Sequence, residues 1–341
     1  MKSFFLITNY NNHIPQFTHE TNGLDLDILK SMLDKEYHVE VIILDELAHR
    51  LLNDSIEVKD NFFFFTSSQI EVYKMAILDI AFEIQSLGGV LLPKYEFYLS
   101  HENKFHQELY KKRKNVSTPT SRILTNSNNI SEVKFPSVVK GYAGFGSSGV
   151  TLVKDKKELH TAVRRNMTSY VLNNFNLKEI LKSAIKSFFR YRGLYPTKLG
   201  RVVVQDFVPE LKYDWKILVF GTEIFALKRF VKGDDFKASG SGIFDFDEVP
   251  SDSLLKFSLD TRQKLDTPFV SLDVAESQDG DFKIIEYQSV HFGLVTALKC
   301  NRYYSFENDI FVENKTSIDS IEIFFYNAMN NYLQDLGIKN V

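Results

Sequence analysis

The sequence predicts an α+β protein, with a small α/β domain ahead of a larger part that is rich in antiparallel strands and carries packed helices. Three observations predict it. Strand-like and helix-like segments alternate over roughly the first hundred residues, the pattern of a mostly parallel sheet with crossover helices. Further on, strand-like segments crowd together between Arg201 and Tyr287, with little between several of them but short turns. Between these regions, residues 135–153 (FPSVVKGYAGFGSSGVTLV) set Lys140 and four glycines between two apolar runs.

Taken in order, residues 3–7 read as a strand. Residues 24–33 read as a helix, with Leu24, Leu26, Ile28, Leu29 and Leu33 as its apolar positions. Segments 39–44 and 61–65 read as further strands. Ser67 and Ser68 open a helix over 70–84, because a serine hydroxyl can accept from the orphan N–H groups of a first turn. Gly88 and Gly89 end it ahead of the short apolar run 90–93. A helix begins at residues 101–104 and runs to about Lys112. Ser117-Thr118-Pro119-Thr120 then breaks the chain before a strand at 122–124 and a polar loop at 126–131.

After the glycine-rich stretch, 156–165 reads as a helix. A longer one follows at 177–190, with Leu177, Leu181, Ile185 and Phe188 on one face and Lys178, Lys182, Lys186 and Arg190 on another. That basic row suits a solvated face, and equally a rim for an anionic substrate or surface. Strands follow at 201–207, 215–220 and 223–230, the last two joined by Gly221-Thr222 as a two-residue hairpin turn. Segments 269–275 and 282–287 form another strand pair, and a helix over 318–334 comes last.

A chain of 341 residues is long enough for two or three domains and a large core. Its net charge of -3 gives no general attraction to nucleic acid or membrane surfaces. The single cysteine, Cys300, excludes an internal disulfide framework and a multi-cysteine zinc site, and points to a reducing compartment. The apolar run after Lys2 is too short for a signal peptide and no run approaches a membrane span, so a cytoplasmic location is expected.

The glycine-rich stretch narrows by elimination. Gly141 and Gly146 have Walker spacing, but Ser147-Ser148 stand where Lys-Ser/Thr is needed. Gly144, Gly146 and Gly149 spell G-x-G-x-x-G, yet the β-branched run at 150–153 reads as a strand, whereas a dinucleotide fingerprint opens a helix. The stretch therefore joins two strands, either as a lid over phosphates or as an ordinary hairpin loop.

Asp273 lies mid-strand, and Glu286 and Gln288, two residues apart, point to one face of theirs. Oxygen donors on neighbouring strands suit Mg²⁺, which is bound by a few carboxylates together with substrate phosphates. Pairing of both carboxylates with basic neighbours is the other reading. Their apolar flanks place them partly inside, where a carboxylate needs a partner of one kind or the other.

These segments, in this order, resemble an ATP-grasp enzyme of the carboxylate–amine ligase type. In its ATP and Mg motifs the chain is similar to ribosomal-protein glutamate ligases and D-alanine–D-alanine ligases. ENKFHQELYKKRKNVSTPTSRIL matches the segment that places Lys104 on phosphate. VVKGYAGFGSSGV matches the second phosphate lysine, Lys140, and a lid containing Gly144, Phe145, Gly146, Ser147 and Ser148. VVVQDFVPE matches the adenine hinge, implicating Gln205 and the backbone of Asp206, Phe207 and Val208, with Glu210 near the ribose. YDWKILVFGTEIFALKRF matches a strand pair carrying Asp214, Lys216 and Arg229, with Lys216 in place of the usual arginine. SLDVAESQDGDFKIIEYQ supplies the metal set Asp273, Glu286 and Gln288, where glutamine replaces the usual asparagine. Lys237-Ala238-Ser239 stands in for an Arg-x-Asn, and SVHFGLVTALKC replaces a short turn, leaving His291 and Phe292 to shape the acceptor site or simply to pack.

The resemblance implies an ATP-grasp fold, two α+β lobes enclosing ATP, preceded by an α/β domain. It divides the chain into 1–100, 101–205 with the lid, and 206–341 with the metal site. It implies ATP and one or two Mg²⁺ ions, Mn²⁺ serving as well, and amide formation through an acyl phosphate held by Arg229 and Lys237. The expected partners are small carboxylate and amine substrates, among them amino acids, peptides or a uronic acid, with no nucleic acid; a homodimer is compatible. Substrate choice is expected to lie in the N-terminal domain and in loops at 232–250 and 289–306. A small-molecule kinase on the same fold, or a nucleotide-binding protein without turnover, are the rival readings.

Overall fold

The computed structural model describes residues 1–16, 23–127, 130, 133–142, 149–167, 198–209, 211–233, 235–277, 279–315 and 320–338. The expected lid core at 144–148, the basic helix at 177–190 and Glu210 lie outside the described residues.

The N-terminal part alternates strand and helix: β1 (Ser3–Thr8), α1 (Leu26–Leu33), β2 (His38–Ile43), α2 (Leu44–Leu52), β3 (Phe62–Phe64), α3 (Glu71–Ser86) and β4 (Val90–Leu92). The strands form a parallel sheet in the order β2-β1-β3-β4. Strands β1, β3 and β4 are largely buried on both faces, as a parallel sheet between helices demands, while the edge strand β2 leaves Val41 and Ile43 exposed. Phe5, Ile7 and Phe63 enter one core, while Phe4, Leu6, Phe62 and Phe64 enter a second on the opposite face. Asp25 caps α1 by accepting from the N–H groups of Asp27 and Ile28, whereas α3 starts after Ile70 without a side-chain cap and Ser68 Oγ accepts from Ile70 N at 3.0 Å in the turn before it.

A short helix α4 (Tyr95–Ser100) leads into α5 (Lys104–Arg113), which Asn103 caps. Strands β5 (Ser121–Asn126), β6 (Ser137–Gly141) and β7 (Val150–Val153), helix α6 (Lys156–Arg165) and strand β8 (Leu199–Asp206) follow. They form a four-stranded antiparallel sheet, β5-β8-β6-β7, with a core of its own built on Val139, Val153, Leu159, Val163, Val202 and Val204. The glycine-rich stretch thus joins the antiparallel neighbours β6 and β7. At its end Gly149 has φ +72°, and a Cβ there would meet Asn166 Oδ1 at 3.0 Å, so the position calls for glycine.

The third sheet has seven antiparallel strands in the order β13-β12-β9-β10-β14-β15, with β11 on β10. Its elements are β9 (Tyr213–Phe220), β10 (Glu223–Phe230), β11 (Phe244–Asp245), α7 (Asp252–Leu265), β12 (Phe269–Glu276), β13 (Phe282–Gln288), α8 (Val295–Lys299), β14 (Arg302–Glu307), β15 (Ile310–Lys315) and α9 (Glu322–Asp335). Phe220 pairs with Glu223 across Gly221-Thr222. Phe64 of the parallel sheet meets Phe269 of β12 at 6.0 Å and Phe325 of α9 at 6.1 Å, so these two sheets share one aromatic core.

Helices α2, α4, α7 and α8 and the β14–β15 hairpin were not expected. Helix α2 begins directly after β2 at Ile43 with no side chain capping it, and its start is marked by Asp45 and Glu46 in the first turn rather than by a cap. Helix α7 did carry a signal, since Ser251 accepts from Leu254 N. Asn308 and Asp309, both at positive φ, turn the hairpin, and the expected loop at 289–306 instead holds α8 and most of β14.

Candidate functional site

A cleft of about 310 Å³ opens between the four-stranded sheet and the seven-stranded sheet. Every expected site residue among the described ones lines it: Lys104, Lys140, Gln205, Asp206, Phe207, Val208, Asp214, Lys216, Arg229, Lys237, Asp273, Glu286 and Gln288.

One part of its lining is apolar, with Pro119, Val138, Val150, Phe207, Val208, Leu211 and Ile285. Beside it stands Lys140, whose position in the middle of the small sheet leaves it only 6% exposed. Its Nζ donates to Gln205 Oε1 at 2.7 Å across the β6–β8 pair, and Gln205 Nε2 reaches Ser121 Oγ at 3.3 Å. Burial pulls the Lys140 ammonium down to about 8, against the opposing pull of Glu108. Glu108 itself pairs with Lys111 at 2.8 Å.

The seven-stranded sheet supplies a charged floor, and strand register explains why its members meet. Asp214 and Lys216 are two apart on β9, so they share a face. Arg229 is the β10 partner of Asp214, and Asp273 on β12 is the partner of both Lys216 and Glu286. Arg229 clamps Asp214 with Nε at 2.7 Å and Nη2 at 2.9 Å, the planar fork-on-carboxylate geometry that arginine favours. Its Nη2 also meets Asp273 Oδ2 at 3.0 Å, while Lys216 Nζ holds Asp273 Oδ1 at 2.9 Å. Burial works against ionisation of Asp273, but the two cations prevail and keep its carboxyl well below the usual carboxylate range.

Segment 100–104, which links α4 to α5, is fastened to three successive residues of β13. Ser100 Oγ meets Tyr287 OH at 2.8 Å, His101 Nδ1 meets Gln288 Oε1 at 3.2 Å, and Lys104 Nζ meets Glu286 Oε1 at 3.4 Å. Gln288 Nε2 donates to Glu286 Oε1 at 3.3 Å. Beyond Gln288 the cleft is lined by Gln69, Glu102, His291, Phe292 and Gly293. His101 and His291 stack with ring centroids 5.7 Å apart. Burial lowers both, His101 to about 3 and His291 to about 4, so both are neutral at physiological pH. Lys237 places its Nζ 5.4 Å from the centroid of the Phe236 ring.

Sequence reasoning missed Gln69, His101 and Glu102 as site residues. Glu102 is held at φ +46°, an uncommon conformation for this residue type, and no local sequence signal announces it.

Among the described residues no three His, Cys, Asp or Glu side chains cluster as metal ligands. The available set is two carboxylates, Asp273 and Glu286, opposite one another across β12 and β13, and the amide of Gln288. Hard oxygens facing a polar cleft fit a hard divalent cation whose remaining positions are filled by phosphate and water.

No protein-family model and no curated protein sequence matches the chain. Among solved structures it is similar to a D-cycloserine synthetase, at 10% identity and a TM-score of 0.52, over 97% of this chain and 99% of that one. It is also similar to a D-alanine–D-alanine ligase from Bacillus anthracis complexed with ATP (14% identity, TM-score 0.45, 99% and 96% covered). A further similar structure is a RimK domain protein, ATP-grasp, from Sphaerobacter thermophilus (12% identity, TM-score 0.47, 84% and 91% covered). Two antiparallel sheets facing across a cleft, behind a parallel α/β unit, define a class of architecture, and the D-cycloserine synthetase likeness, over 97% of this chain, is one of fold. The chain has the ATP-grasp fold.

Proposed function

We propose that the protein is an ATP-dependent ligase that joins a small carboxylate to an amine, with ADP and phosphate as the other products. One convergence supports it. Lys104, Lys140, Asp214, Arg229, Asp273 and Glu286 come from distant parts of the chain and line one cleft beside an apolar slot. The D-cycloserine synthetase likeness, one of fold, agrees with this reading.

In this reading the slot takes the adenine, with the backbone of Asp206, Phe207 and Val208 on its edge and Glu210 near the ribose. Lys104 and Lys140 neutralise phosphates, and residues 144–148 cover them and exclude water, which would otherwise hydrolyse the intermediate. The γ-phosphoryl group passes from ATP to a carboxylate oxygen, releasing ADP. The amine nitrogen then attacks the acyl carbon, the C–O bond to phosphate breaks, and the nitrogen loses a proton. Arg229, oriented by Asp214, and Lys237 hold the phosphorylated carboxylate, and Lys216 supports Asp273. Mg²⁺, held by Asp273 and Glu286, would supply charge neutralisation at the transferring phosphate. Gln69, Glu102 and His291 surround the acceptor. Residues 1–100, 101–205 and 206–341 are the corresponding units.

The test is ADP release from Mg-ATP across a panel of amino acids, peptides and sugar acids, with and without amines. Release that needs both a carboxylate and an amine is expected. Release with a lone hydroxylic substrate would make the protein a kinase, and nucleotide binding with no release on any panel member would make it a non-catalytic binder.

A further inference from the structure

Gln288 occupies the position at which the resemblance puts a metal ligand, yet its amide is turned the other way. The nitrogen faces Glu286 Oε1 at 3.3 Å and the oxygen faces His101 Nδ1 at 3.2 Å. Two constraints fix that orientation. Reversing the amide would set its oxygen against a carboxylate oxygen at the same separation, acceptor against acceptor. His101 in turn is 1% exposed, so bulk solvent does not compete for its ring. An imidazole facing an amide oxygen must carry a proton on Nδ1, and its buried Nε2 has no hydrogen-bond partner among the described residues. His101 is itself anchored, because its neighbours Ser100 and Lys104 are fastened to Tyr287 and Glu286. The extra methylene of glutamine over asparagine carries the amide far enough from the strand to reach this histidine.

We propose that His101 is a positioning residue that withholds Gln288 from metal, so that the floor of the cleft binds one divalent cation, between Asp273 and Glu286, rather than two. The inference rests on the nucleotide-binding reading above. An oxygen beside Glu286 is what a second ion needs at the end of β13, and the positive end of an amide dipole stands there instead.

Counting bound Mn²⁺ by electron paramagnetic resonance, with the protein saturated by the non-hydrolysable analogue β,γ-imido-ATP, tests this directly. Wild type is expected to bind one ion. Gln288→Asn, too short to reach His101, is expected to bind two. His101→Ala releases the amide and is also expected to bind two, whereas His101→Asn keeps a donor nitrogen close to the Nδ1 position and is expected to stay at one. A role of His101 in folding alone would move thermal stability without separating Ala from Asn in ion count. Two ions on wild type, or one ion on all three variants, overturns the proposal while leaving the ligase reading standing. Failure of wild type to bind the analogue at all overturns both.

Discussion

The two sheets that face each other across the cleft handle buried charge in opposite ways. On the seven-stranded sheet, Asp214, Lys216, Arg229 and Asp273 neutralise one another, each within 3.0 Å of a partner of opposite sign. On the four-stranded sheet, Lys140 rests on the amide of Gln205, and its charge is weakened by burial. The large sheet shares its aromatic core with the N-terminal domain, while the small sheet has its own core. A network balanced internally, on a platform packed from both sides, keeps its geometry without a ligand. A desolvated cation on the small sheet that makes no ion pair among the described residues, and feels Glu108 only at a distance, is costly until an anion arrives, so it suits a group meant to meet phosphate.

That contrast predicts opposite results from removing one cation on each side. Arg229→Met strands Asp214 and Asp273 in a buried site, and should cost about 3–5 kcal/mol of stability in a denaturant titration. Adding Asp214→Asn should recover part of the loss, because the removed charges are coupled. Glu286→Ala lies at the edge of the same network, where its side chain is 24% exposed. It should leave the fold nearly intact and lower Mg-dependent ADP release by about a thousandfold, ~4 kcal/mol of barrier. An unaltered rate would remove Glu286 from the metal site.

The same contrast explains what the sequence made readable. Strands β9, β10, β12 and β13 were legible because alternation and a two-residue turn are local signals, and the register that follows brings Asp214, Lys216, Arg229, Asp273 and Glu286 onto one face. Helix α6 spans Lys156–Arg165 as expected, and the structure adds its cap, Asp155 accepting from Glu158 N. Lys111 was not legible: it sits among Lys112, Arg113 and Lys114 like the basic end of a surface helix, yet it is fully buried against Glu108 and the carbonyls of Ile284 and Ile285. The contact of His101 with Gln288 spans 187 positions, and no local pattern encodes which side chains meet over that distance. Motif order located the cleft residues, but only the packing of segment 100–104 along β13 revealed which way Gln288 faces.

On the small sheet the prediction is a gain rather than a loss. Lys140→Met removes a desolvated ammonium, and should raise stability at pH 7 by about 1–2 kcal/mol while abolishing nucleotide binding. The sign follows from proton counting. The folded-state value is about 8 against 10.5 for the free side chain, so the unfolded chain binds more protons between those limits. Wild-type stability therefore rises with pH across that window, and the advantage of the methionine variant is largest below pH 8 and fades toward 10.5.

The smallest effect is the most discriminating. If only protonated Lys140 accepts a phosphate, the competent fraction falls from about nine-tenths at pH 7 to about one-tenth at pH 9, and the apparent affinity for β,γ-imido-ATP should weaken about tenfold over that range. Isothermal titration calorimetry at several pH values measures it. Lys140→Arg, whose guanidinium stays charged throughout, should bind with a flat profile. Arg229 on the seven-stranded sheet gives no such slope, because Asp273 and Asp214 hold it charged despite its burial. A tenfold slope that persists in Lys140→Arg would assign the titrating group to another residue and would erase the distinction between the two walls.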